Sequence, residues 1–160
     1  MTPIRKIVYA ALVAALYAAL TLIAAPISFG LVQCRISESL TVLPFLLPAA
    51  VPGLFAGCLL ANLLMGAPLL DVIAGSIATL LAAAATAWIG KRKLSPWLAP
   101  LPAVIANGLI VGYVVMALYA PEAPYGLSAL YVALGEGVAC YLLGMPLLTL
   151  LRKYESRIFK

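Results

Sequence analysis

The sequence predicts an all-α, polytopic membrane protein: a single domain over residues 1–160 with six transmembrane helices and both termini cytoplasmic. Three observations predict it. Hydrophobic residues make up 66% of the chain and charged ones only 9%, where a soluble domain carries about 45–50% apolar and about 25% charged residues. Mean hydropathy is +1.15. The ten basic residues, against five acidic ones, cluster beside apolar runs, as cytoplasmic loops do. The sequence pI of 9.3 therefore points to a membrane and not to nucleic acid, since no basic stripe follows an exposed face.

A helix needs about 20 apolar residues to cross the hydrocarbon core. Ile7–Ala25 is the first such run. It exceeds the about 7–15 apolar residues of a signal peptide and more spans follow it, so a retained helix is expected. Pro26 and Gly30 end it, and the polar patch Gln33, Arg35, Ser37, Glu38 follows. Ser39–Leu70 is apolar for about 32 residues, roughly 48 Å of helix and too long for one span. Its prolines divide it into a short, bent span at 38–51, a turn at Pro52-Gly53 and a third span at 54–70. Val72–Ile89 is the fourth, closed by Gly90-Lys91-Arg92-Lys93; Trp97–Tyr119 is the fifth; Leu127–Leu151 is the sixth. A five-span reading distributes the charges almost as well, and the overlong 39–70 run decides for six. Continuous apolar runs also exclude a barrel, whose strands alternate. On this map Arg35, Glu38, Asp71 and Glu122 lie at or near the outer face.

Charged and amide side chains inside an apolar run carry the candidate site. Glu136, between Gly135 and Gly137, falls about nine residues into the last span, ~14 Å deep. An acid at that depth costs several kcal/mol unless partnered, and it reads as a functional position or else as a protonated or hydrogen-bonded structural acid. Asn107 in the fifth span lies at comparable depth and would share its cavity, or make an interhelical hydrogen bond; Asn62 reads as structural. Asp71 would complement the dipole of the fourth helix or meet a ligand at the pocket mouth. Arg35 and Glu38 would pair with each other in solvent, or close over a bound solute as part of a lid at 29–38. Tyr113, Tyr119, Tyr125 and Tyr131, with Trp88 and Trp97, read mainly as interfacial aromatics. Ala10, Ala14 and Ala18, beside Ala11, Ala15 and Ala19, form two small-residue rows that admit a close helix neighbour, either within this chain or in a separate subunit. Cys34, Cys58 and Cys140 lack metal or disulfide spacing. With no histidine in the chain, His-dependent catalysis is excluded, and no cofactor is expected.

The run Phe29-Gly30-Leu31-Val32-Gln33-Cys34-Arg35-Ile36-Ser37-Glu38-Ser39-Leu40-Thr41-Val42-Leu43-Pro44 resembles the signature of the QueT-type queuosine-precursor transporters. Leu60-Ala61-Asn62-Leu63 through Asp71 to Gly75-Ser76, Ile105-Ala106-Asn107-Gly108, and Gly135-Glu136 with Tyr141 and Pro146 resemble the same family. These are substrate-binding S components of energy-coupling factor (ECF) vitamin importers. The resemblance implies a six-helix S component that takes a 7-deazaguanine such as preQ1. It also implies docking of the alanine-lined first helix on a transmembrane coupling subunit, and energy from two cytoplasmic ATPase subunits. Arg35, Glu38, Asp71, Asn107 and Glu136 are the expected substrate contacts, and Ala10, Ala11, Ala14, Ala15 and Ala18 the expected docking residues. No Walker A motif is present, so this chain is not itself expected to be an enzyme. The alternatives are a proton-coupled carrier using Glu136, which would suit an inverted repeat that the sequence lacks, and an S component for a different vitamin.

Overall fold

The computed structural model describes residues 1–25 and 35–158, with side chains through residue 154. The first part of the signature run and of the expected lid, residues 29–34, lies outside the described residues. Among the described residues the fold is all-α, with six helices and no strand. Four are long and apolar enough to cross a membrane.

Helix α1 (Pro3–Ile23) begins at Thr2, whose hydroxyl accepts from the Arg5 amide. Pro3 stands at the first position, where its missing N–H costs nothing. Only one face is covered, formed by Val13, Ala14, Tyr17 and Thr21, while Ile4, Ile7, Leu12 and Leu16 are exposed. The chain next takes a ten-residue 3-10 helix (Ile36–Phe45). Its sequence disfavours the α form for local reasons. The hydroxyls of Ser39 and Thr41 donate back to the carbonyls of Ile36 and Glu38, each at 2.6 Å, and Pro44 lacks a donor.

This region corrects two expectations. Where the second span is expected stands this tight 3-10 helix, followed by a turn at 46–49. The expected turn at Pro52-Gly53 is instead the first turn of α2 (Ala50–Leu64), where proline is tolerated because the early amides need no intrahelical partner. Helix α2 has 15 residues, about 22 Å, so it stops short of the expected Leu70. It begins early because Gly53 must lie directly under the Ala10 carbonyl, which a Cβ would strike. At Gly57 a Cβ would stand 2.7 Å from Tyr17 Cβ and 2.9 Å from the Ala14 carbonyl. The expected docking row therefore divides. Ala14 is buried and Ala10 half-buried against α2, whereas Ala11 and Ala15 face outward. Ala18, also half-buried, packs against the core that Tyr17 and Leu54 share.

Helix α3 (Leu69–Lys91) ends in a Schellman turn. The Lys93 amide bonds to the Gly90 carbonyl at 2.9 Å and the Leu94 amide to that of Ile89 at 3.2 Å. Lys93 takes φ 55° there, a conformation that costs a side-chain-bearing residue roughly 1–2 kcal/mol relative to right-handed backbone. Helix α4 (Pro96–Leu118) and helix α5 (Tyr125–Tyr154) each contain a π-helical segment, at Asn107–Val111 and Val138–Gly144. Gly108 and Gly112 let α4 lie against Ala129 and Ala133 of α5.

The 3-10 helix is the axis of the molecule, touching α1, α2, α3 and α5. It starts at the Asp71 end of α3 and finishes with the Phe45 carbonyl against Gly90, about 20 Å at ~2.0 Å per residue. Lys6 shares a groove with Pro48 and Pro52, and Arg152 shares one with Phe45, Gly90 and Lys93. One end of the bundle is thus basic and the opposite end holds Arg35, Asp71 and Tyr119. The composition is inverted relative to a water-soluble core. Ala50, Ala61, Ala78, Ala83, Ala99 and Ala103 are buried while many leucines and isoleucines face outward, as in lipid, where small residues let helices approach.

Candidate functional site

Buried polar side chains from five helices meet around the upper half of the 3-10 helix. At the end opposite the basic one Arg35 Nη2 pairs with Asp71 Oδ1 at 3.5 Å. Tyr119 donates to Asp71 Oδ2 at 3.0 Å. Asp71 lies in the first turn of α3, where the amide dipoles favour a carboxylate. Gly75, one turn on, makes room: a Cβ there would stand 3.3 Å from Asn62 Nδ2 and 3.5 Å from Arg35 Nη1. The solvent pairing of Arg35 with Glu38 does not occur. Arg35 is 2% exposed and Glu38 0%, so neither stands in solvent, and Arg35 forms its ion pair with Asp71 of α3.

Glu38 Oε1 accepts from Tyr17 of α1 and, at 2.9 Å, from Thr79 of α3. Its other oxygen, Oε2, has no partner among the described residues. Thr79 Oγ1 also lies 3.4 Å from Cys58 Sγ, and Asn62 Nδ2 lies 3.6 Å from the same sulfur. That leaves Asn62 Oδ1 unpartnered. On the α5 side, Cys140 lies 3.7 Å from Glu136 Oε2 and 3.4 Å from the Glu38 carbonyl. Asn107 of α4 flanks Glu136, and its Nδ2 has no partner within hydrogen-bond distance among the described residues. Both residues sit where their helices widen. Asn107 opens the π segment of α4, and Glu136 lies two residues before that of α5. Such segments recur at functional sites because the extra residue in the turn redirects side chains.

The structure therefore brings together all five expected contacts, Arg35, Glu38, Asp71, Asn107 and Glu136, each buried. Asn62 lies in the same buried cluster, beside Cys58 and Gly75. Tyr17, Thr79, Cys58 and Cys140 were not singled out by sequence. Helical spacing contains the missing signal: Asp71, Gly75 and Thr79 recur every fourth residue on α3, as do Cys58 and Asn62 on α2. Of the tyrosines, Tyr119 reaches Asp71, whereas Tyr113 and Tyr125 stack edge to face at 6.3 Å on the surface. Tyr131 is exposed.

Chemically, the interior holds three carboxylates, two amides and a guanidinium out of water. Buried polar groups ordinarily find partners, and leaving one unpaired costs about 1–3 kcal/mol. Three such atoms on three helices, the acceptors Glu38 Oε2 and Asn62 Oδ1 and the donor Asn107 Nδ2, have no hydrogen-bond partner among the described residues. The model of one family, described as QueT transporter, matches residues 7–153. No curated protein and no solved structure matches the chain.

Proposed function

The chain belongs to the QueT transporter family, and from that premise we propose that it is the substrate-binding S component of an ECF-type importer for a queuosine precursor. In this reading it is a multi-pass protein of the bacterial cytoplasmic membrane with its basic end inside. It captures a 7-deazaguanine such as preQ1 at the outer face. A transmembrane coupling subunit and two cytoplasmic ATPases drive release.

One observation carries the reading: carboxylate and amide atoms buried in the interior without a hydrogen-bond partner among the described residues. A guanine-like edge presents a ring N–H and an exocyclic amine side by side, and one carboxylate accepts both. Glu136 is the acid for that edge, with Asn107 facing the ring carbonyl through its free N–H. The aminomethyl ammonium of preQ1 requires a second acid, and Glu38 Oε2 supplies it. Asp71, already engaged by Arg35 and Tyr119, closes the outer end. Ala11 and Ala15 form the outward row available to the coupling subunit.

A ligand panel read by thermal shift on the purified protein tests this. PreQ1 is expected to stabilise more than 7-deazaguanine, and guanine less. Glu38→Gln should erase the advantage of preQ1 while Glu136→Gln weakens every base. An unshifted Tm across all deazaguanines would remove the substrate assignment. A proton-coupled carrier would keep transporting without the ATPases and stop with an uncoupler; the S component should do the reverse.

A further inference from the structure

We propose that the basic end carries a site for one anionic phospholipid, its phosphate between Lys93 and Arg152 and an acyl chain along the groove between α3 and α4. The headgroup space is a groove of about 490 Å³ whose walls include Phe45, Leu46, Lys93, Ser95 and Arg152. Lys93 arrives from the end of α3 and Arg152 from α5, so two cations distant in sequence converge on one space. No carboxylate lines it among the described residues. Like charges brought together repel, and an anion between them removes that repulsion. A phosphodiester suits the place, since it accepts from both a guanidinium and an ammonium, with the Ser95 hydroxyl in reach of the same space.

The turn that presents Lys93 supports the assignment. Its left-handed position is one that glycine fills by default, and lysine there sacrifices backbone ease to place an ammonium in the groove. Leu94 lines this groove and also an apolar one of about 480 Å³, which includes Leu81, Ala85, Trp88, Leu101 and Ile105. Polar and apolar spaces are therefore contiguous, in the order of a lipid's headgroup and chain. Arg92 stacks over Trp88 at 5.2 Å beside them, the interfacial pairing expected at headgroup level. Free phosphate would answer the cations and leave the apolar groove unfilled. Basic pockets between membrane helices bind anionic headgroups on the cytoplasmic side. The inference rests on the membrane orientation alone and is independent of the transported solute.

The full chain, purified in a neutral detergent, is titrated with phosphatidylglycerol, phosphatidylcholine or inorganic phosphate at matched concentration, and Tm is read. Phosphatidylglycerol is expected to raise Tm by several degrees, the other two by less than a degree. Lys93→Gly keeps the turn and removes the ammonium; with Arg152→Gln, it should lose more than half of that shift. Lys91→Gln, exposed two residues before Lys93 and outside the groove lining, should keep it. Equal stabilisation by phosphatidylcholine, an undiminished shift in Lys93→Gly, or an equal loss in Lys91→Gln would overturn the site. Full stabilisation by inorganic phosphate would overturn the lipid assignment.

Discussion

The two halves of the polar interior differ in how completely their charges are answered. Around Asp71, a guanidinium faces a carboxylate, a tyrosine closes the second oxygen, and a glycine leaves space for the assembly. Around Glu38 and Glu136, equally buried, the carboxylates meet hydroxyls and thiols, and several polar atoms have no partner. Both halves draw on the same residue types at similar burial, so burial alone does not identify a binding site. Under the proposed function the valences do: Asp71 Oδ1, though without a hydrogen bond, faces Arg35 as an ion pair, whereas Glu38 Oε2 has no partner among the described residues. In that reading the first network is closed and holds helices together, and the second is open and completed by the solute.

The largest effect should come from breaking the closed half. Asp71→Asn removes the carboxylate that pairs with the buried Arg35 guanidinium, a loss of up to about 3–5 kcal/mol. Thermal unfolding in detergent should show Tm falling sharply with or without ligand. A Tm within a degree of the parent would place Asp71 in the open half. Next comes the open half itself. Glu38→Gln and Glu136→Gln should each weaken preQ1 by about 1–3 kcal/mol, roughly 5- to 150-fold, measured by titration calorimetry. The Tm of the ligand-free protein should hold or rise, because a poorly compensated charge leaves the interior. If Tm fell as far as in Asp71→Asn, the contrast between the halves would fail.

The same distinction runs along α1 and predicts a separation of similar size. Ala14→Leu forces a larger side chain against Gly57, an overpacking of about 1–3 kcal/mol, visible as lost Tm. Ala15→Leu, facing outward, should unfold as the parent does and reduce co-purification of the coupling subunit. Equal loss of Tm in both would make the whole stripe internal. The smallest effect belongs to Tyr119→Phe, which removes one bond from Asp71. The ring is 37% exposed, so water replaces much of that bond, and a loss near the low end of about 0.5–1.5 kcal/mol is expected.

What the sequence makes legible follows from solvent. In lipid an ionised or amide side chain is conspicuous, and Arg35, Glu38, Asp71, Asn107 and Glu136 stand out against an apolar background. The long helices are legible for the same reason, with ends set by prolines, glycines and basic residues. Tyr17 and Thr79 are not, since tyrosine passes for an interfacial ring and threonine for a small filler; only their positions opposite Glu38 give them a role. The 3-10 helix is hidden as well. Its form depends on hydroxyls folding back on carbonyls, while its apolar content reads as part of an ordinary span. The place of Asn62 in the cluster is not legible either, since its neighbours Cys58 and Gly75 carry no charge.

That central helix has a kinetic consequence. Its i→i+3 bonds have poorer geometry than those of an α-helix, and Ser37 through Pro44 are buried, so its order is lent by the surrounding helices. Local opening follows the number of contacts holding a segment in place, and a solute held by Glu38 would add to them. Deuterium uptake at the Ser37–Leu43 amides should therefore slow when the site fills, more than at the amides of α3 alongside. The segment then acts as a clock for occupancy, readable without a label and before any transport has occurred.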